Sequence, residues 1–427
     1  MSTRVLIVGG GGREHALALA LASARPSQAV DLWCAPGNPG IGPIAGRISV
    51  QGIDVAAVVA AARAHAVDFV LPGSEAWLCA GLTDALAQVG IACVGPTQAA
   101  AQLEASKSFA RTLTAPLGVP GPQFVVVQSE PQLQEAIARF AELPVIKADG
   151  LAFGKGVFLP NSLPACLQIG RDLLSGSLGQ AGRTVVLEER LQGDEASLFF
   201  ACAGADCVAL SNARDHKRLQ DDDRGPNTGG MGAISPSPTV TAAIEQEVQE
   251  RIVRPTLAAM VQRGTPFVGF LFVGIMGTRQ GIKLLEFNVR WGDPEAQVVL
   301  PRLADGELLR ICQAMIGGRL RDLTPRVEAQ ASCAVVLASA GYPDSPRVGD
   351  VITIEEPALA ASGARLLHSG TQQVGDVLQT AGGRVLTVVA QGDTAERARL
   401  RAYQGADAVR FAGLQRRNDI GTLRSRI

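Results

Sequence analysis

Arg4-Val5-Leu6-Ile7-Val8-Gly9-Gly10-Gly11-Gly12-Arg13-Glu14-His15-Ala16 is an apolar run that stops at glycines and resumes with helix-forming residues. A strand that feeds a glycine turn and then a helix is the opening half of a βαβ unit. The next residues keep the rhythm, with strands expected at 31–35, 68–71 and 91–95 and helices at 14–22, 54–65 and 76–88. Alternation of this kind predicts a doubly wound parallel sheet covered on both faces. Pro36-Gly37-Asn38, Pro72-Gly73-Ser74 and Gly95-Pro96-Thr97 each follow a strand, at the carboxyl edge where such sheets hold ligands. At the first turn, free backbone amides and the positive helix end suit a phosphate. The same glycines also suit a tight turn required for backbone reasons alone. The spacing does not complete GxGxxG, and the second strand does not end in an acid for a ribose, which weakens a dinucleotide reading.

Beyond residue 102 the texture changes. A helix is expected over 102–117, a strand at 123–127, a helix over 132–141 and a strand from Val145, then strands at 183–187, 197–201 and 207–210. A long loop at 212–238, a helix over 242–263 and a hairpin of 269–276 with 282–288 complete a mixed α+β region. After Leu323-Thr324-Pro325, strands at 332–340, 351–354 and 383–389 and a helix over 394–410 read as a smaller α/β unit. The expected domains are 1–102, 103–324 with a lid subdomain at about 123–187, and 325–427.

The chain has 427 residues, too many for one hydrophobic core. Hydrophobic residues are 47% and charged ones 19%, with a net charge of −1, so the composition is that of a folded protein with no global field for nucleic acid. The opening lacks a signal peptide's features, and apolar stretches such as 55–62 soon meet Arg63, His65 and Asp68, so neither export nor a membrane partner is expected. The eight cysteines form no CxxC pair and read as reduced core residues of a cytoplasmic protein.

Three further stretches carry chemistry. Lys147-Ala148-Asp149-Gly150-Leu151-Ala152-Phe153-Gly154-Lys155-Gly156-Val157 sets a lysine at a strand end before a glycine loop, which fits a mobile phosphate lid or a solvated hairpin. Glu286-Phe287-Asn288-Val289-Arg290 puts Glu286, Asn288 and Arg290 on one face by period-two alternation. A carboxylate and an amide oxygen suit magnesium, and an arginine suits a carboxylate or a phosphoryl group; a solvent-facing strand is the alternative. The last stretch, Asp215-His216-Lys217-Arg218 leading to Gly225-Pro226-Asn227-Thr228-Gly229-Gly230-Met231-Gly232, is either a substrate loop or a solvated charged loop. Lone His65 and His368 read as packing or surface residues.

These segments, in this order, with Ala-Pro-Gly-Asn at 35–38, Leu-Glu-Ala-Ser-Lys at 103–107 and Arg290 to Glu295, resemble the glycinamide ribonucleotide synthetase family of ATP-grasp ligases over nearly the whole chain. The resemblance implies ATP-dependent joining of glycine to 5-phosphoribosylamine through glycyl phosphate, in purine synthesis. It implies ATP between the two halves of a grasp domain, with Lys107 and Lys147 near phosphates and Gly150, Gly154, Lys155 and Gly156 in the lid. Glu188 and Leu191 would border adenine, Glu195 the ribose hydroxyls, and Glu286 with Asn288 would hold magnesium, or manganese in its place. Asp215 and Arg290 would be catalytic, with Asn227, Thr228, Gly229 and Gly230 around glycine. Gly11, Gly12, Arg13, Glu14, Asn38 and Glu75 would hold phosphoribosylamine, and the protein would be a monomer or weak dimer. The sequence departs from the family at Trp77, Phe153 and Trp291, where Pro, Ala and Phe are usual, and the strand at 269–274 lacks a further carboxylate. Competing readings are another ATP-grasp ligase, a nicotinamide-dependent oxidoreductase and a non-catalytic nucleotide sensor.

Overall fold

A computed structural model describes residues 2–24, 29–151 and 156–422. The opening strand Thr3–Gly9 lies at the centre of a five-stranded parallel sheet, between Val30–Pro36 and Phe69–Pro72, with Gly46–Arg47 and Ala92–Cys93 at the edges. Val5 and Ile7 belong to one buried cluster and Leu6 and Val8 to another. Strand side chains alternate sides, so an unbroken apolar run is what a sheet covered on both faces requires. The helix expected over 76–88 is two pieces, Glu75–Cys79 and Leu82–Gln88, because Gly81 adopts a left-handed φ of 84° between them.

The middle of the chain forms two sheets. A small antiparallel sheet contains Phe124–Val127, Val185–Glu188, Val145–Ala148 and Val157–Phe158, and buries its apolar face with residues from Glu130–Ile137 and Leu163–Leu174. Residues 189–193 then pass to Asp194–Ala203 in an antiparallel sheet of eight strands. That sheet holds Gly281–Asn288, Val268–Thr278, Asp194–Ala203, Asp206–Asp215 and Gly232–Ser235, and it continues into Ala331–Ala338, Arg384–Gly392 and Arg365–His368. The pairing of Gly232 with Val335 therefore joins the middle of the chain to its last hundred residues through backbone hydrogen bonds.

The segment expected as a loop at 212–238 is more ordered than that. It contains the short hairpin Arg218–Gln220 with Arg224–Asn227 and the core strand Gly232–Ser235. Polar and glycine-rich residues hid these strands, which are set by pairing partners rather than by alternation. The expected helix at 102–117 also breaks: Ser106 is extended, and its hydroxyl accepts from Phe109 N to cap a new helix, Lys107–Thr114. The 242–263 helix runs through a π-turn at Gln249–Val253. No disulfide joins the eight cysteines, six of which are buried. No helix among the described residues is long and apolar enough to cross a membrane.

Trp291 is 1% exposed, stacks on Phe199 at 5.1 Å and lies 4.8 Å from Phe270. Its indole Nε1 has no hydrogen-bond partner among the described residues. An unpaired buried N–H costs about 1–3 kcal/mol, which offsets the packing lost on shrinking the ring. Trp291→Phe should hold stability within about 1 kcal/mol of the parent in urea unfolding, and Trp291→Ala should lose about 3–5 kcal/mol. A Phe variant as damaged as the Ala variant would contradict this.

Candidate active site

The glycine turn is shaped around one carboxylate. Glu14, 3% exposed, accepts Gly11 N at 2.6 Å and Arg13 Nε at 2.9 Å. Gly9 has φ +138°, and a Cβ on Gly73 would sit 1.8 Å from Glu14 Oε1, so both glycines leave room for that side chain. The Gly11 amide, which the sequence reading offers to a phosphate, thus donates to Glu14. Gly12 packs against the C-terminal part, where a Cβ would lie 2.5 Å from Ser369 Oγ. Asn38 Nδ2 donates to Gly10 O at 2.9 Å and His368 O at 2.8 Å, and Ile41 N donates to its Oδ1. Asn38 therefore braces the first turn against the C-terminal part. His15 Nδ1 accepts His368 N at 2.9 Å. Burial, then the neighbouring His368, lowers His15 to about 3, and burial lowers His368 to about 4. Both rings are neutral near pH 7.

Arg290 is the centre of the arrangement. Its Nε donates to Glu75 Oε2 at 2.9 Å, and its Nη2 donates to Glu104 Oε1 at 2.7 Å and Asn288 Oδ1 at 3.2 Å. The last contact places Arg290 and Asn288 on one side, as the period-two reading expects. Glu104 also accepts Val289 N at 2.7 Å. Burial lifts Glu104 to about 7, with Arg290 pulling against it. Burial also works to raise Glu75, but Arg290 and Arg13 hold it below its ordinary value. Arg13 in turn donates from Nη1 to Trp291 O at 3.1 Å. The parallel-sheet region is thereby keyed to the end of strand Gly281–Asn288.

Along that strand lies a second charged group. Burial opposes ionisation of Glu286, yet Lys217, Lys147 and Lys107 together hold its carboxyl below the usual range. Burial lowers Lys107, which Glu286 counteracts, and Lys107 Nζ reaches Gly150 O at 3.4 Å. Lys147 Nζ pairs with Glu188 Oε2 at 2.6 Å. Glu188 is 2% exposed and also takes Arg111 Nε at 2.7 Å and Nη2 at 3.1 Å. Arg111 continues to the carbonyls of Leu284 and Leu285, tying the small sheet to the large one. Glu188, half-buried Leu191 and Glu195 line the crossing between the two sheets.

Among the described residues no three His, Cys, Asp or Glu side chains gather as a metal cage. Glu286 and Asn288 do supply two hard oxygen donors on one strand face. That pair fits a magnesium ion that takes its remaining ligands from phosphate and water.

Lys217 Nζ donates to Glu195 Oε2 at 3.0 Å. Burial raises Asp215, with Lys217 opposing and Glu195 and Glu286 adding to it. Thr228 N donates to Lys217 O at 2.7 Å, Gly229 N to Tyr342 Oη at 2.9 Å, and Arg384 Nη1 to Gly229 O at 2.7 Å. Gly230 abuts Pro294, and exposed Asn227 pairs with Arg218. Arg384 also bonds Asp293.

The structure thus gathers Lys107, Lys147, Lys217, Asp215, Glu195 and Glu286 in one charged group, and Arg13, Glu14, Glu75 and Arg290 in a neighbouring one. Asn38 is drawn into bracing instead. Gly150 and Gly156 stand on either side of the segment expected as a lid, and Ala148 N donates to Gly156 O at 2.8 Å. Gly154 and Lys155 lie outside the described residues. The sequence reading missed Arg111, Glu104 and Arg384. A single arginine in a helix carries no signal, whereas Glu104 stood inside the quoted 103–107 segment.

Residues 3–104, 105–296 and 332–423 match the N domain, the ATP-grasp (A) domain and the C domain of phosphoribosylglycinamide synthetase. The chain belongs to this family. It is 44% identical over 421 residues to a phosphoribosylamine–glycine ligase of Agrobacterium fabrum, covering 98% of each chain. It is 42% identical over 424 residues to that of Allochromatium vinosum, again covering 98% of each. The crystal structure of phosphoribosylamine–glycine ligase from Thermotoga maritima superposes with a TM-score of 0.85 at 32% identity, covering 98% of this chain and 100% of that one. A biotin carboxylase of Campylobacter jejuni shares the fold, with a TM-score of 0.73 at 12% identity over 97% of this chain and 93% of that one.

Glu188 makes a pH-dependent prediction. Burial would raise it, but Lys147 and Arg111 hold it at about 2 against 4.5 unpaired. Above about pH 4.5 its stabilisation is fully present, up to about 3 kcal/mol, and it is lost as pH falls toward 2. Glu188→Gln should lose about 3–5 kcal/mol at pH 7, since it leaves two buried cations unpaired. The gap to the parent should narrow in chemical unfolding as pH drops from about 4.5 to 2. A gap that is constant with pH would contradict the pairing.

Proposed function

We propose that this protein joins glycine to 5-phosphoribosylamine at the expense of ATP, giving glycinamide ribonucleotide, ADP and phosphate in purine biosynthesis. The observation that carries the reading is Glu286. Its carboxylate stands among Lys107, Lys147 and Lys217 and lies two strand positions from Asn288 and four residues from Arg290. The family relationship supplies the substrates.

A carboxylate is a poor acyl donor, so the γ-phosphoryl of ATP passes first to the glycine carboxylate. Lys107 and Lys147 balance charge on the transferring group, with Gly150, Gly154, Lys155 and Gly156 as the lid over it. Glu286 and Asn288 would hold magnesium, or manganese, which would supply charge neutralisation at the phosphates when bound. Glu195 takes the ribose hydroxyls and Glu188 with Leu191 the adenine side. The charge of Glu188 is committed to Lys147 and Arg111, so it orients the lysine as well. Glycyl phosphate then meets the amine of phosphoribosylamine, which breaks the acyl–oxygen bond and releases phosphate. Arg290 and Asp215 flank this step, with Asn227, Thr228, Gly229 and Gly230 around the glycine. Gly11, Gly12, Arg13, Glu14, Asn38 and Glu75 form the phosphoribosylamine side, where Glu14 and Asn38 shape the turn. Water exclusion preserves the acyl phosphate.

We assign residues 1–102 to the acceptor domain, 103–324 to the ATP-grasp domain with its lid at about 123–187, and 325–427 to the C-terminal domain. The protein works in the cytoplasm as a monomer or weak dimer, without nucleic acid.

The test is ADP release with ATP and magnesium, with glycine and freshly generated phosphoribosylamine supplied together and then each omitted. Release that needs both, with glycinamide ribonucleotide seen by mass spectrometry, is expected. Release with other amino acids or amines instead would overturn the substrates. Glu286→Ala should lower turnover by at least about 100-fold while the protein still folds. Near-normal turnover would remove its metal role.

A further inference from the structure

Arg417 is 1% exposed, among the largest fully buried side chains of the protein, and it stands ten residues before the end of a chain whose chemistry lies elsewhere. Its guanidinium faces the 215–232 loop. Nη1 donates to Arg218 O at 3.1 Å and to Asp223 Oδ1 at 2.7 Å, while Nε and Nη2 grip both oxygens of Asp419 at 2.7 Å. Asp419 Oδ2 then accepts Asp222 N at 2.9 Å, and Asn418 N donates to Asp221 Oδ1 at 2.7 Å. Further along, Gly421 N donates to His216 Nε2 at 3.2 Å. Segment 417–421 therefore lies across the loop from its tip to its base.

The tip needs that support. Asp222 and Asp223 both adopt positive φ, 59° and 53°, which side chains other than glycine take only when their surroundings hold them. The hairpin they close is a short two-stranded ribbon outside the large sheet, too small to be stable alone. Its base passes through Lys217, whose carbonyl accepts both the amide and the hydroxyl of Thr228 at 2.7 and 2.8 Å. A shift at Arg218 thus moves Lys217 and Thr228 together.

We propose that Arg417 is a positioning residue for the ligase reaction. Through the C-terminal strap it sets the 215–232 loop so that Asp215, Lys217 and Thr228–Gly230 meet glycine and its acyl phosphate. This rests on the proposed function, which puts glycine at that loop. A planar fork suits the role, since one side chain satisfies a backbone carbonyl and two carboxylates in fixed directions, which a lysine does not reproduce.

The experiment compares Arg417→Ala, Arg417→Lys and Asp223→Asn in the full-length protein. Removing a buried guanidinium can unfold the chain, so Asp223→Asn, which leaves Arg417 on Asp419, serves as the second variant. The readouts are KM for glycine, KM for ATP, kcat, the unfolding midpoint, and cleavage within residues 218–229 by a trace of trypsin. A rise in KM for glycine on the order of tenfold to hundredfold is expected, with KM for ATP within about twofold and faster loop cleavage. Lys should recover only part of the loss. An unchanged glycine KM in every variant that folds, or a fall in kcat that simply follows the unfolding midpoint, would overturn the proposal. A parent protein that shows no glycine-dependent ADP release would contradict the functional reading instead. The strap would then stand or fall on whether the variants speed loop cleavage.

Discussion

A single guanidinium, that of Arg290, fixes how the parts of this protein meet. It leaves the end of a strand in the eight-stranded sheet and lies between Glu75 of the parallel-sheet region and Glu104 of the segment leading into the central domain. Removing Arg290 would leave both carboxylates without their shared cation, a loss of the kind that costs about 3–5 kcal/mol at buried pairs, so the arrangement has few alternatives close in energy. The same backbone places Asn288 and Glu286 at the preceding alternate positions. The contact that docks the parallel-sheet region therefore also fixes the strand face that carries Glu286 and Asn288. Arg111 does parallel work on the opposite flank, holding Glu188 and two carbonyls of the same strand.

The C-terminal part is bound into this centre by more than surface contact. Its strand Ala331–Ala338 continues the large sheet, while Arg384, Tyr342 and Arg417 bond to the charged loop. On its other side, Ser369 and His368 pack against Gly12, His15 and Asn38. A ligand lying between the glycine turn and the loop would touch surfaces set by all three parts of the chain. Domain-by-domain reading misses this shared construction.

Much of the architecture was nevertheless legible. The unbroken Val5-Leu6-Ile7-Val8 run required burial on both faces, and the glycines after it marked the sheet's carboxyl edge. Alternation along Gly281–Asn288 gave Glu286 and Asn288 one face, whereas Arg290 lies past the strand's end and reaches that side through its hydrogen bond to Asn288. What stayed hidden depends on distant partners. Glu14 at the third position of the helix claims the Gly11 amide locally, a cue the glycine pattern obscures, and the approach of Gly73 completes the cradle around it. The strands inside 212–238 have no alternation to betray them and exist through pairing. Arg111 and Arg417 look like ordinary surface residues until the groups they bury against are in place.

The central claim is that Arg290 links the acceptor side to the phosphoryl-transfer side. It is tested most directly by a double-mutant cycle of Glu75→Gln and Arg290→Lys, read as glycinamide ribonucleotide formed per ATP consumed. If the link aligns the two half-reactions, each single variant should release ADP with a shortfall of product as the acyl phosphate meets water, and the double variant should be no worse than the poorer single one. One product per ATP in both single variants, or losses that simply multiply in the double variant, would contradict the account.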